Sequence, residues 1–310
     1  MRVLFWGTPR FALPTLMALG EEGHDVVGVV TQPDRPAGRG RRTRGSDVKE
    51  IALEEGLRIL QPERPRGPEF LKEIRSLEPE ISVVVAYGHI LRREVLDVPV
   101  HGSINVHASL LPELRGAAPV HWAIVRGYQR TGVTVMRMVE AMDAGPILLQ
   151  VEEPIGEQET ASELSMRLSE VGAQALVEAL ALLSVGQLPE REQDETFATY
   201  APKVDRALAH IDWTQAASSV CNLIRGMDES PGAWTSLGSR TLKLFRPTVV
   251  VGALDAPPGT VLAADPEEGL MVATGEGALR LGEVQLPGKR RMSATDWLRG
   301  RSAEAGDRLG

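Results

Sequence analysis

Residues 103–112 read Ser-Ile-Asn-Val-His-Ala-Ser-Leu-Leu-Pro. Ile104 and Val106 alternate with Asn105 and His107, the period of a strand, in which residues i and i+2 project from one face. An amide and an imidazole therefore share a face, and the turn residues Ser109 and Pro112 end the strand just beyond them. An acid, Asp143, follows within Met136-Arg-Met-Val-Glu-Ala-Met-Asp-Ala-Gly-Pro-Ile147. An amide donor, a titratable ring and a carboxylate are what a developing oxyanion and a departing proton require, so this set predicts acyl-type transfer.

Outward from that stretch, strands and helices alternate. Arg2–Thr8 reads as a buried strand, Pro9–Glu22 as a helix ended near Gly23, and Asp25–Gln32 as the second strand. Ser46 is a candidate N-cap for a helix over Ser46–Glu55, followed by a short strand at Leu57–Leu60. Pro68–Leu77 is a further helix, Ile81–Tyr87 a fully buried strand, and Thr131–Val139 a strand leading to Asp143. Valine- and isoleucine-rich strands separated by helices predict an α/β, Rossmann-like, mostly parallel sheet covered on both faces. Ligands of such sheets bind beyond the carboxyl ends of the strands, where Asn105, His107 and the Tyr87-Gly88 turn fall.

Thr160-Ala-Ser-Glu163 has the capping-box form and opens an amphipathic helix reaching about Gly186. After Ala207 the pattern changes to a short helix over Thr214–Arg225. Short strands follow near 233–237, 241–251, 260–262, 269–273 and 278–286, as in a small barrel or sandwich. The expected organisation is a catalytic domain over 1–188, a linker over 189–206 and a C-terminal β-barrel domain over 207–310.

At 310 residues, 43% hydrophobic and 25% charged, the chain has an ordinary globular composition. No run of 18 apolar residues and no signal-peptide pattern occurs, and one cysteine, Cys221, forms no intramolecular disulfide, so a cytoplasmic protein is expected. The net charge of −8 is unevenly placed. Residues 151–199 hold eleven acids against two arginines, whereas 200–310 balance thirteen of each sign. Arg35–Arg44 holds five arginines and no acid. Five like charges are costly to place together, which favours contact with a polyanion over an idle solvated loop.

Several motifs carry less. Gly7-Thr8-Pro9 lacks the spacing of a dinucleotide turn, and its proline removes a donor. Gly38-Arg-Gly-Arg-Arg42 is not followed by the Gly-Lys-Ser/Thr of a phosphate loop. No histidine–carboxylate cluster has a metal-ligand spacing, so no metal is expected.

Asn105-Val-His107, Ser109-Leu-Leu-Pro112, Arg115-Gly-Ala-Ala-Pro119 and Asp143-Ala-Gly145 together resemble the folate-dependent formyltransferase family. Thr31-Gln-Pro-Asp-Arg-Pro-Ala-Gly-Arg-Gly40, Tyr200-Ala-Pro-Lys203, Pro231-Gly-Ala-Trp234 and Pro287-Gly-Lys289 extend the resemblance over the full length, to members that act on a tRNA. It implies a C-terminal barrel related to the oligonucleotide-binding fold. It also implies 10-formyltetrahydrofolate as donor and the α-amino group of methionyl initiator tRNA as acceptor. Asn105, His107 and Asp143 would be catalytic. Ser109, Leu110, Leu111 and Pro112 would hold the folate, with its pteridine also against Tyr87 and Gly88. Arg39, Arg41, Arg42 and Arg44 would close over the acceptor end, while Lys289 and Arg290 hold phosphates. A monomer is expected. A formyltransferase for a small amine, and a non-catalytic tRNA-binding protein on the same scaffold, are the rival readings.

Overall fold

The computed structural model describes residues 1–37, 42–250, 252, 256–300 and 302–310, with backbone alone at 36, 37 and 42–44. The chain forms two compact units. The first comprises Met1–Pro119, Thr131–Pro154 and Ser165–Ala201; the second comprises Val120–Arg130, Ile155–Leu164 and Pro202–Gly310.

A seven-stranded sheet organises the first unit. From one edge its strands are Ile147–Pro154, Arg130–Arg137, Ser103–His107, Ile81–Val85, Arg2–Gly7, Asp25–Val30 and Ile59–Leu60. The five from Ser103–His107 to Ile59–Leu60 run parallel, and Arg130–Arg137 is antiparallel to Ser103–His107. Mostly apolar sequences such as Ile-Ser-Val-Val-Val are buried throughout, as strands covered on both faces must be, with the one hydroxyl, Ser82, accepting from Trp6 Nε1 at 3.1 Å. On one side Leu4, Trp6 and Val84 pack with Phe70, Leu71 and Ile74 of the Pro68–Arg75 helix. The helix Ala161–Ser184 approaches at Gly172, where a Cβ would lie 2.8 Å from Val106 Cγ1. Only glycine permits that closeness behind the Asn105–His107 strand.

Local signals explain the boundaries. Ser46 caps Asp47–Glu54 by accepting from the Lys49 N–H at 3.1 Å. Thr160 and Glu163 exchange capping-box bonds, Thr160 N–H to Glu163 Oε2 at 2.9 Å and Glu163 N–H to Thr160 Oγ1 at 3.3 Å. The first helix begins at Leu13 rather than Pro9, because Arg10–Ala12 forms a separate 3₁₀ turn. Ile147–Pro154 is a strand that its acidic, proline-ended sequence conceals, and it occupies the sheet edge, where proline is tolerated. Arg35–Ala37 and Arg42–Arg44 pair as an antiparallel hairpin.

The second unit carries an antiparallel sheet in the order Trp234–Leu237, Arg240–Val250, Ala278–Gln285, Gly269–Ala273, Val261–Asp265, with Met292–Ser293 added to Ala278–Gln285. The C-terminal stretch bridges the two edges, Leu309 to Leu237 and Arg308 to Thr260, so the sheet curls towards closure as the expected small barrel. Leu242, Leu244, Leu270, Leu279 and Trp297 fill its core together with Val220 and Ile224 of the Ala217–Gly226 helix.

Candidate active site

The Ser103–His107 strand lies inside the sheet, and its five residues are all buried. Asn105 is in register with Val84 on one side and Met136 on the other, and His107 with Thr134. Strand alternation therefore presents the amide and the imidazole on one face near the carboxyl end. The Leu114 carbonyl lies 3.0 Å from His107 Nε2. A carbonyl only accepts, so Nε2 carries the proton of this bond. The other ring nitrogen, Nδ1, faces Asp143 Oδ2 at 3.8 Å, an ion-pair distance longer than a hydrogen bond. Among the described residues nothing hydrogen-bonds to the Asn105 amide, which is 9% exposed and so remains available to a ligand.

The loop after this strand is fixed by polar contacts that the sequence does not advertise. Thr134 Oγ1, fully buried, donates to the Ser109 carbonyl at 2.7 Å and accepts from the Leu111 N–H at 3.1 Å. Gln150 Nε2 donates to the Leu111 carbonyl at 2.9 Å and to Thr134 Oγ1 at 3.0 Å. Ser109 Oγ donates to the Glu113 carbonyl at 2.6 Å, and the Leu110 carbonyl accepts from the Glu113 N–H. The carbonyls of Ser109, Leu110, Leu111 and Pro112 thus each have one protein partner and one lone pair to spare. Leu111 itself is buried against Met136 and Ile147. The loop is a wall pinned by hydrogen bonds, with acceptor capacity left on its carbonyls.

Two non-glycine residues here have left-handed backbones, Leu114 at φ +58° and Asp143 at φ +51°. Such conformations cost on the order of 1–2 kcal/mol and persist where surrounding contacts impose them. Leu114 is held by its N–H donating to Thr199 Oγ1 at 2.9 Å, and its carbonyl receives His107. Asp143 is held at both ends of its residue. Its carboxylate accepts from the Gly116 N–H at 2.8 Å, and its carbonyl accepts from Gln193 Nε2 at 2.8 Å. The Tyr200–Ala201 strand runs parallel to Arg115–Gly116, and a Cβ on Gly116 would lie 2.8 Å from the Ala201 carbonyl.

The Tyr87 side chain is not at the surface of this site. It is buried, edge-on to Trp6 with ring centroids 5.2 Å apart, and burial raises its hydroxyl pKa far above the usual phenol value. Its carbonyl accepts from Thr8 Oγ1 and Gln32 Nε2, both at 3.1 Å. Gly88, at φ +86°, follows with Gln32 Nε2 only 3.0 Å from where a Cβ would stand. The turn thus offers backbone rather than a phenol.

The basic candidates divide. Arg39 and Arg41 lie outside the described residues, as do the side chains of Arg42 and Arg44. Next to the paired strands Arg35–Ala37 and Arg42–Arg44 stands Asp34, which accepts from Lys49 Nζ at 2.6 Å and Gln61 Nε2 at 2.7 Å. Those bonds hold the Asp34 carboxyl below its ordinary pKa, the one from Gln61 foremost. In the second unit Lys289 and Arg290 are exposed. Arg291 beside them is committed, to Asp228 at 2.9 Å, to Glu283, and over the Phe245 ring at 4.0 Å. Among the described residues no group of three or more His, Cys, Asp or Glu could hold a metal ion, and no helix is long and apolar enough to cross a membrane.

Sequence reasoning finds Asn105, His107 and Asp143 but not Thr134, Gln150 or Gln193. Hydroxyl and amide side chains on neighbouring elements have no local pattern. Arg115 is within reach of such reasoning, since it opens Arg115-Gly-Ala-Ala-Pro119.

A parallel sheet with an amide, an imidazole and a carboxylate at its carboxyl end is the arrangement of a group-transfer enzyme. The formyl transferase family matches residues 1–180, and the formyl transferase C-terminal domain matches residues 203–302. The chain belongs to the formyl transferase family. Over its whole length it is similar to proteins named methionyl-tRNA formyltransferase. That from Methylococcus capsulatus is 47% identical over 310 residues, 100% of both chains; that from Bacillus subtilis is 45% identical, covering 100% of this chain and 98% of the relative. Among solved structures, an N-formyltransferase from Helicobacter canadensis, in complex with folinic acid and dTDP-3-aminofucose, superposes with a TM-score of 0.69 at 16% identity, over 91% of this chain and 98% of that one. HypX from Aquifex aeolicus in complex with tetrahydrofolic acid gives 0.64 at 20% identity, over 96% of this chain but only 47% of HypX. These structural likenesses are of fold.

Proposed function

We propose that this enzyme transfers the formyl group of 10-formyltetrahydrofolate to the α-amino group of methionyl initiator tRNA, giving N-formylmethionyl-tRNA for translation initiation. Three things support the reading: family membership, full-length similarity to proteins named for that reaction, and the pairing of His107 with Asp143 beside an unengaged Asn105 amide. The last observation carries it, because it supplies a reason for the chemistry.

The donor brings an activated formyl group, and what remains is for the chain to orient it and to manage charge. The Asn105 amide, on the same strand face as His107, would donate to the negative charge that develops on the formyl oxygen. His107, fixed by the Leu114 carbonyl on Nε2, turns Nδ1 towards the reacting centre. Asp143 supplies negative charge beside that ring, with its Oδ2 3.8 Å from Nδ1. As the new C–N bond forms and the bond from the formyl carbon to N10 of the folate breaks, the amine's proton passes, through a water ordered by Asp143 in this scheme, to N10 of the departing tetrahydrofolate. The folate would lie along the Ser109, Leu110, Leu111 and Pro112 wall, whose carbonyl acceptors suit the donor-rich edge of a pteridine, and against the backbone of the Tyr87–Gly88 turn, where the Tyr87 carbonyl is already taken by Thr8 and Gln32.

The tRNA would be held by its phosphates, through Arg39, Arg41, Arg42 and Arg44 at the acceptor end and through Lys289 and Arg290 on the second unit. Domain limits at 1–188 and 207–310, a cytoplasmic location and a monomeric state complete the proposal. The direct experiment is transfer of labelled formyl from 10-formyltetrahydrofolate to charged initiator tRNA, with discharged tRNA and small amines as competing acceptors. Label on methionyl-tRNA alone is expected. Preferential formylation of a small amine would overturn the assignment.

A further inference from the structure

Asp143 occupies a left-handed backbone, and one of the two groups that hold it lies 50 positions away in sequence. Gln193 is 9% exposed and uses its whole amide. Its Nε2 donates to the carbonyls of Asp143 and Gly145, each at 2.8 Å. Its Oε1 accepts from Arg115, at 3.1 Å from Nε and 2.7 Å from Nη2. The Arg115 guanidinium, itself buried, also forks onto Glu195 at 2.9 and 2.8 Å. The residue after Arg115 is Gly116, whose N–H holds the Asp143 carboxylate.

These contacts close a ring: Asp143 carboxylate, Gly116 N–H, the Arg115 side chain, the Gln193 amide, and back to the Asp143 carbonyl. The segment bearing Gln193 is itself fastened, since Arg191 and Ile147 exchange backbone bonds at 2.7 and 2.9 Å. Gly145 adds rigidity of its own, because a Cβ there would lie 2.0 Å from the Arg137 carbonyl. Backbone and carboxylate of Asp143 are therefore both referred to one frame, the Arg115–Gly116 dipeptide.

We propose that Gln193 is a positioning residue for formyl transfer, acting through Asp143 by setting where its carboxylate stands relative to His107. The inference rests on the catalytic reading of Asp143 above. Gln193 itself touches no substrate in this scheme. Displacing a reacting group by about 1 Å can cost on the order of 10²-fold in rate, so the loss of both donors should be felt in turnover.

The test uses Gln193→Glu in the full chain, which keeps the shape and the acceptor for Arg115 but replaces the two donors with an oxygen facing two carbonyls. The expected result is a fall in kcat of roughly 10- to 100-fold. KM for both substrates should change little, while the thermal midpoint should fall, since two buried carbonyls lose their donors. In an Asp143→Ala background the same substitution should have no further effect on the residual rate, since a residue acting through Asp143 has nothing left to act on. Gln193→Met is the second variant should the glutamate fail to fold, with the same expectation. Full turnover in either variant, or a loss that multiplies with that of Asp143→Ala, overturns the inference and leaves the catalytic reading standing. Near-normal turnover of Asp143→Ala alone would instead remove the reading on which it rests.

Discussion

At the carboxyl end of the parallel sheet, Asn105, His107, Arg115, Thr134 and Gln193 are all buried polar side chains within a few loops of one another. The curled sheet of the second unit is filled instead by Leu242, Leu244, Leu270, Leu279 and Val272, and its cations Lys289 and Arg290 stand out at a turn. Both interiors are close-packed, but they rest on different forces. Apolar burial is non-directional and tolerates exchange of similar shapes. A hydrogen-bonded polar interior is directional, and each group left unpaired costs its desolvation. The first kind of interior holds a fold; the second also holds individual atoms where chemistry needs them.

The contrast is broken or sharpened first at Asn105. Replacing it with alanine removes a donor while leaving no buried partner unpaired. Turnover should fall on the order of 10²–10³-fold with an unchanged melting point. Steady-state rates beside a thermal melt check it, and near-normal turnover would contradict the role of the amide.

A smaller effect is expected at Thr134→Val, which is nearly isosteric. It strips the Ser109–Leu111 wall of its internal anchor and leaves the Ser109 carbonyl and Leu111 N–H without it. Stability should drop by about 1–3 kcal/mol. KM for the folate donor should rise more than KM for tRNA. Urea unfolding and substrate titration separate the two consequences; equal stability would mean that water replaces the hydroxyl.

For the surface cations the expected change is in salt response. Replacing Arg41 and Arg42 by alanine should weaken tRNA binding and reduce the log–log salt slope by about 0.7–0.9 for each phosphate that is no longer neutralised. Filter binding across salt concentrations measures it, and an unchanged slope would remove the hairpin from the tRNA site.

The smallest effect is at Glu163 in the second unit. Its carboxyl is held down to about 2, first by the Thr160 N–H and then by Arg246 and the Thr160 hydroxyl. A carboxyl depressed in the folded state stabilises it above the unfolded value near 4.5 and loses that contribution as pH falls towards 2. Glu163→Gln keeps the cap but not the charge, so it should flatten the acid limb of stability over this window. For an exposed pair the difference should stay within about 1 kcal/mol. An unaltered acid melting curve would contradict it.

How much of the molecule is legible from sequence follows from the same contrast. The parallel strands announce themselves through apolar runs rich in valine, isoleucine and leucine, and Asn105 and His107 through alternation within one. Ile147–Pro154 escapes notice because acids and a proline mask an edge strand. Gln193 is not legible because its partners, Arg115 and two carbonyls near Asp143, come from segments far apart in sequence. The segment that carries it reads as polar connector until the fold shows what its amide holds. Tyr87 is expected against the pteridine as part of a turn; where its ring goes is not legible locally, and it packs on Trp6, since an aromatic ring following a buried strand has the core within reach.

The most direct measurement is the single-turnover rate of formyl transfer by Asp143→Asn, which preserves the acceptor for Gly116 and removes only the charge facing His107. A loss of at least about 10²-fold, with folate binding and melting point retained, is the predicted result. A rate within about threefold of the unaltered enzyme would contradict a catalytic carboxylate at this position.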